Sequence, residues 1–61
     1  MIGGSNIVKG ARNDIYADTA TDVTDLEQFA EDWELAQGST CLVIDTFDVY
    51  VLKSDGTWKK K

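Results

Sequence analysis

No histidine, no proline and a single cysteine occur among the 61 residues of this chain. Without imidazoles or a second thiol, the ligand sets of structural zinc sites cannot be assembled, and no internal disulfide can form. Cys41 lies in an apolar run with no base or cation beside it in sequence, so it reads as a small buried hydrophobe in a reducing compartment. Basic residues are scarce as well: six stand against eleven acids, and the formal net charge of -5 disfavours nonspecific phosphate binding. Long apolar runs are also missing. Nothing approaches the roughly 20 apolar residues of a membrane span, and Met1 to Gly4 does not open with the basic start and apolar stretch of a signal peptide. The expectation is a soluble chain made in the cytoplasm, with neither a membrane nor nucleic acid as partner.

A chain this short forms one domain at most, residues 1–61, and such a domain buries only about 60% of the surface its unfolded chain exposes. Disulfides and metals being excluded, association with another chain is the remaining way to complete a marginal core. Charge is unevenly placed. Ten of the eleven acids fall between Asp14 and Asp48, a stretch with no Lys or Arg, whereas Lys9, Arg12, Lys53 and Lys59 to Lys61 lie towards the ends. The terminal lysine run reads as a solvated end that discourages edge-to-edge strand pairing.

Three segments follow one another. Residues 1–13 carry Gly3, Gly4, Gly10, Ser5 and Asn6 around Ile7-Val8 and read as an extended arm. Ile15-Tyr16 gives a brief extended segment, either an edge strand or coil laid over a sheet. Val23, Leu26, Phe29, Ala30 and Trp33 then recur at helical spacing, opposite Asp25, Glu27, Gln28, Glu31, Asp32 and Glu34. Thr24 with Glu27 makes a capping-box pattern and Gly38 a stop signal, which predicts a helix from about Asp25 to Ala36. Glu31, Asp32 and Glu34 crowd its C-terminal half, where negative charge is unfavourable, and call for a cationic neighbour.

The last third, GSTCLVIDTFDVYVLKSDGTW, alternates as strands. A two-residue turn at Thr46-Phe47 would put Leu42, Ile44, Val49 and Val51 on one face and Cys41, Val43, Tyr50 and Leu52 on the other. Both faces are apolar, so each needs cover: the helix for one, and the arm, a second copy or another protein for the other. Asp55-Gly56 is a turn signal for a second hairpin, with Trp58 opposite Lys53 in a two-residue turn or opposite Leu52 in a three-residue turn. The fold class that results is α+β: one short amphipathic helix packed on a small antiparallel β-meander in residues 14–61, after the extended arm.

Catalytic, cofactor and metal residues are not found. Asp14, Asp18, Asp22, Asp25 and Glu27 lack the D-x-D-x-D-G spacing of a calcium loop. The glycines match no P-loop or dinucleotide fingerprint. Glu27 and Glu31 share a helix face without a pocket to shift a pKa, and of Trp33, Trp58, Tyr50 and Tyr16 three sit in an acidic context, unlike the aromatics interleaved with basic residues of single-strand binders. The chain reads as non-enzymatic, with Phe47, Tyr50, Leu52, Trp58, Ile7 and Val8 as the candidate partner interface.

The segments DIYADT, DLEQFA and GSTCLVIDTFDVYVLKSDGTW resemble a family of short structural proteins of tailed bacteriophages and prophages of Gram-positive bacteria, over roughly Asp14 to Trp58. A hairpin ending in VYVL-x-SDG-x-W also recurs in unrelated phage fibre and tail proteins as a structural module. The resemblance implies a virion component, associated with the capsid head or its connector, bound in many copies to a larger virion protein or to copies of itself. One departure is Phe47, where similar sequences carry glycine in the first turn. A small acidic module that regulates or inhibits a host or phage protein is the alternative.

Overall fold

Alternation decides which residues of each strand go inward. A computed structural model describes Met1 to Lys61, and in it the chain runs β1 (Ile2–Gly3), β2 (Asp14–Ala17), a 3-10 helix (Ala20–Asp25) leading into α1 (Leu26–Trp33), β3 (Thr40–Val43), β4 (Asp48–Leu52) and β5 (Trp58–Lys60). These strands form one sheet in the order β1-β2-β3-β4-β5. The domain is therefore α+β, with one short helix on a five-stranded, mostly antiparallel sheet. In β2 the pattern is strict: Ile15 and Ala17 are buried, while Asp14 and Tyr16 are exposed.

The expected antiparallel meander is present as β3-β4-β5, but β2 is neither coil nor an edge. It pairs in parallel with β3, Ile15 opposite Cys41 and Ala17 opposite Val43. The helical segment explains this, because parallel neighbours need a crossover long enough to carry the chain back to the starting end of the sheet. Ile15, Ala17, Leu26, Cys41 and Val43 form the buried cluster, and Ile2, Ile7, Val23, Phe29, Leu35, Tyr50 and Trp58 pack around it. Burial of Cys41 pushes its thiol pKa from 9.0 up to about 11, consistent with a packing role rather than a reactive one.

The helix differs from its expected limits at both ends. It begins earlier, as 3-10 turns from Ala20, so Thr24 is internal to the helical segment and its hydroxyl donates back to the Thr21 carbonyl at 3.0 Å. The Thr24–Glu27 box does not form; instead the Asp22 carboxylate accepts from the Thr19 amide at 3.2 Å. At the other end the helix stops at Trp33, because Glu34 takes the left-handed conformation, φ 50° and ψ 46°, in place of a later stop at Gly38. Leu26 and Ala30 are buried on the predicted stripe, and Phe29 meets Trp33 with ring centroids 6.2 Å apart. A cation does reach the acidic end: Lys9 Nζ lies 3.4 Å from Glu34 Oε2, in solvent where such a pair contributes little.

Residues 1–13 are more ordered than an extended strap. Ile2 pairs with Ala17 and Gly3 with Tyr16. The loop that follows is held by Asn13, whose amide group donates to the carbonyls of Val8 and Ala11 at 2.9 and 2.8 Å while its Oδ1 accepts from the Val8 amide at 2.9 Å. Buried Ser39 completes the joint, accepting from the Asn13 amide at 3.0 Å and donating to the Ala36 carbonyl at 2.7 Å. Each of these interior polar groups thus has a partner, which removes the cost of burying it. The Gly10 amide donates to the Trp33 carbonyl, and the Ala36 amide to the Ala11 carbonyl, so the arm is tied to the end of the helix.

Candidate interaction face

The first hairpin sets the site. Its connection is the four residues from Ile44 to Phe47 rather than a two-residue turn, and it pairs Val43 with Asp48, Leu42 with Val49, Cys41 with Tyr50 and Thr40 with Val51. Relative to the expected register the strands have slipped by two residues. A two-residue slip preserves the side each residue faces, so the two predicted apolar sets are both formed. Cys41, Val43, Tyr50 and Leu52 face the helix. Leu42, Val49 and Val51 face away from it, joined by Tyr16 and Thr40 from the register of β2 and β3.

No element of the chain packs over that second side, although Val49 and Val51 are half-buried there. Tyr16 and Leu42 are 41% and 39% exposed, and Ile44, which continues the row, is 45% exposed. The arm is on the helix side, where Ile7 packs on the core cluster. Tyr16 turns its ring over Gly3, where an added Cβ would come within 3.0 Å of the phenol oxygen. Beside Val51 the stems of Lys53, Lys59, Lys60 and Lys61 wall an open hollow of about 360 Å³. The far side of the same face is acidic: Asp14 accepts from the Thr40 hydroxyl at 2.6 Å and pairs with Arg12 at 3.3 Å.

Phe47 stands at the tip of the first hairpin. It is 80% exposed with φ 60°, and its amide donates to the Val43 carbonyl at 2.7 Å to close the loop. A left-handed backbone costs a residue with a Cβ on the order of 1 kcal/mol, and an exposed ring recovers none of it within the chain. At the second hairpin Leu52 pairs with Trp58, which selects the three-residue turn with Gly56 at φ 88°. The Asp55 carboxylate accepts from the Thr57 hydroxyl at 2.7 Å and the Thr57 amide at 3.1 Å, and these bonds hold its pKa below the usual value.

Of the six residues expected at a partner interface, the structure brings few together. Leu52 is buried, and half-buried Tyr50, Trp58 and Ile7 pack against the chain's own core on the helix side, so these four are engaged in the domain's own packing. Trp58 ends there with its indole N–H buried and without an acceptor. Val8 is 57% exposed but lies in the arm, and Phe47 alone projects from the sheet. The outward apolar set is carried instead by exposed Leu42, Ile44 and Tyr16 with half-buried Val49 and Val51 between them. The signal for them was the strand alternation itself, once α1 is assigned to the other side.

The one other concavity, a cleft of about 390 Å³ between α1 and the β4–β5 turn, is lined by Glu27, Ala30, Glu31, Leu35, Leu52, Asp55 and Gly56. Its three carboxylates do not gather into a group able to hold a metal ion. Asp55, ionised and engaged by Thr57, is unsuited to donate a proton. No helix is long and apolar enough to cross a membrane. Set against known proteins, the chain matches no family model, no curated protein and no solved structure.

Proposed function

We propose that this chain is a non-enzymatic structural protein of a tailed-bacteriophage particle, made in the host cytoplasm and assembled in the virion at the capsid head or its connector, against a larger virion protein and copies of itself. The observation that carries the reading is the open apolar side of the sheet. A domain that leaves Leu42, Ile44 and Tyr16 exposed beside buried Cys41 and Val43 spends its apolar surface on contact with something outside itself. Phe47 adds a second contact, since a strained, solvent-exposed aromatic gains its energy only when a partner encloses the ring. The resemblance of DIYADT and GSTCLVIDTFDVYVLKSDGTW to short phage structural proteins supplies the particle.

A second reading, a small acidic module that occludes a basic surface, draws on the exposed acids of α1, Glu27, Glu31 and Asp32. Mass spectrometry of gradient-purified particles separates the two. The structural reading requires the chain at a stoichiometry comparable to a major head or tail protein. Its absence from particles that are otherwise complete rejects that reading in favour of the regulator.

A further inference from the structure

The open side of the sheet is charged antisymmetrically about its middle strand. β3 is third of five, and its outward Leu42 is flanked in register by Tyr16 on β2 and Val49 on β4. On the β2 side the same alternation places Asp14 and then Asp18. On the β4–β5 side it places Lys53, Lys59 and Lys61, of which Lys59 pairs opposite Val51 and the Lys61 amide donates to the Val49 carbonyl at 2.7 Å. The face thus runs from acid through apolar to base across the strands, with exposed counter-charges on both sides. The Met1 amine lies 3.8 Å from Asp18, Arg12 3.3 Å from Asp14, and Asp55 3.7 Å from Lys53, and Asp18, Lys53 and Lys61 stand just beyond the strand ends.

From this geometry we infer that the face is covered by a second copy of the same chain, packed sheet on sheet about a two-fold axis that runs parallel to β3. Only that axis uses the charge pattern. A two-fold along the strands lays β2 of one copy over β4 of the other, so each acidic side meets the partner's lysines and Leu42 meets Leu42 near the axis. A two-fold across the strands would stack acid on acid and lysine on lysine, which costs energy. Asp14 is free to exchange Arg12 for a partner lysine, because their pairing is solvent-exposed and weak. The sheet's edges are unsuited to the same role. β1 is two residues long, and β5 carries Lys59 and Lys60 with Lys61 beyond it, features that block strand addition. Five strands spaced about 4.8 Å apart and up to about four residues deep present a plane of roughly 300 Å² per copy, about 600 Å² in all; this is below the roughly 1,200 Å² of stable specific interfaces, so the dimer is weak and transient, formed only at high concentration.

The proposal rests on reading the chain as a contact module, and it adds an arrangement that reading does not contain. In the strand-parallel dimer both Phe47 tips leave from the same end, since the axis preserves the direction of the strands. One side of the dimer then offers two rings to a larger protein, while the sheet faces are closed against each other.

Sedimentation equilibrium of the purified chain from about 10 μM to about 1 mM tests the inference. The apparent mass is expected to climb from 6.7 kDa towards twice that value across the range. Leu42→Asp, at a side chain the folded monomer leaves exposed, is expected to stay monomeric throughout with an unchanged circular dichroism spectrum. The axis is read by charge reversal: Lys59→Glu/Lys61→Glu and Asp14→Lys/Asp18→Lys should each lose self-association at least tenfold, and their equimolar mixture should regain it as a heterodimer. A parent that stays monomeric at 1 mM, a folded Leu42→Asp that still dimerises, or reversed-charge variants that self-associate like the parent would each overturn the proposal. Detection of the chain in particles is a separate measurement, so a monomeric chain found in virions would reject the dimer and leave the structural function standing.

Discussion

The two sides of this sheet are built from similar residues and have opposite fates. Cys41 and Val43 are fully buried, whereas Leu42 and Ile44, their neighbours in sequence, are 39% and 45% exposed. Hydrophobicity does not separate the two sets. Cover does: the 3-10 helix and α1 return across one side only, and the arm, held by Asn13 at the end of that helix, closes the same side. Apolar character in a strand therefore reports that a side chain has to be enclosed, and the topology reports whether its own chain encloses it. In a domain with only nine of 61 residues buried, the uncovered side is a large share of the apolar surface, and that share is available for assembly.

The sharpest way to break this contrast is to truncate one residue from each side. Leu26→Ala, under the helix, should cost about 2 to 5 kcal/mol, a loss few domains of this size survive. Leu42→Ala should cost the isolated domain less than about 1 kcal/mol. Urea titrations of both variants check the pair; equal losses would mean that Leu42 is enclosed and the sides are alike.

Cys41 sharpens the contrast through pH. Its folded pKa of about 11 lies above the usual 9.0, so burial contributes stability that is complete below pH 9 and is lost as the pH rises through 11. At pH 8 the thiolate fraction of the native protein is about 100-fold below that of the unfolded chain. Alkylation by iodoacetamide should accordingly be slow in buffer and rapid in denaturant, and fast native labelling at pH 8 would show that the helix side opens. The smallest effect is expected at Phe47. Phe47→Gly removes the left-handed strain but loosens the unfolded chain, so stability should stay level or rise by up to about 1 kcal/mol, while incorporation into particles falls. A variant that melts earlier places the ring in the domain's own packing, and one that incorporates equally removes it from the contact surface.

How far the sequence carried depended on the range of the signal. The period-two pattern of Cys41 to Leu52 assigned each residue to the correct side although the register was off by two, because a slip of two leaves side assignments intact. The register itself followed from the backbone of Phe47, a conformation that a Cβ-bearing residue rarely adopts and that no local preference announces. The helical stripe was legible from Val23 to Ala30, but Trp33, expected on it, is 39% exposed, and the end at Glu34 came from another such exception. Parallel pairing of β2 was not legible from Ile15-Tyr16, since a four-residue strand looks the same beside either neighbour. The interface residues were misplaced for a related reason: Tyr50, Leu52 and Trp58 share the alternation of Cys41, and only the path of the helix shows that their side is taken.

The parallel β2–β3 pair also predicts an order of events, with local contacts expected before distant ones. β3, β4 and β5 are joined by short turns and can zip together locally, on the microsecond scale of hairpins. β1 and β2 have no such option, because the central neighbour of β2 is reached only after the chain from Asp18 to Ser39 has been looped back, and β1 has no partner other than β2. Closing that loop is an entropic toll met before any core contact between the halves is made. The C-terminal meander is thus the template and the N-terminal half the late arrival, so a fragment ending before Thr40 has no sheet to join. During that interval both sides of the meander stand open, and the first surface to dock on it, the chain's own crossover or a neighbouring molecule, decides between folding and entanglement.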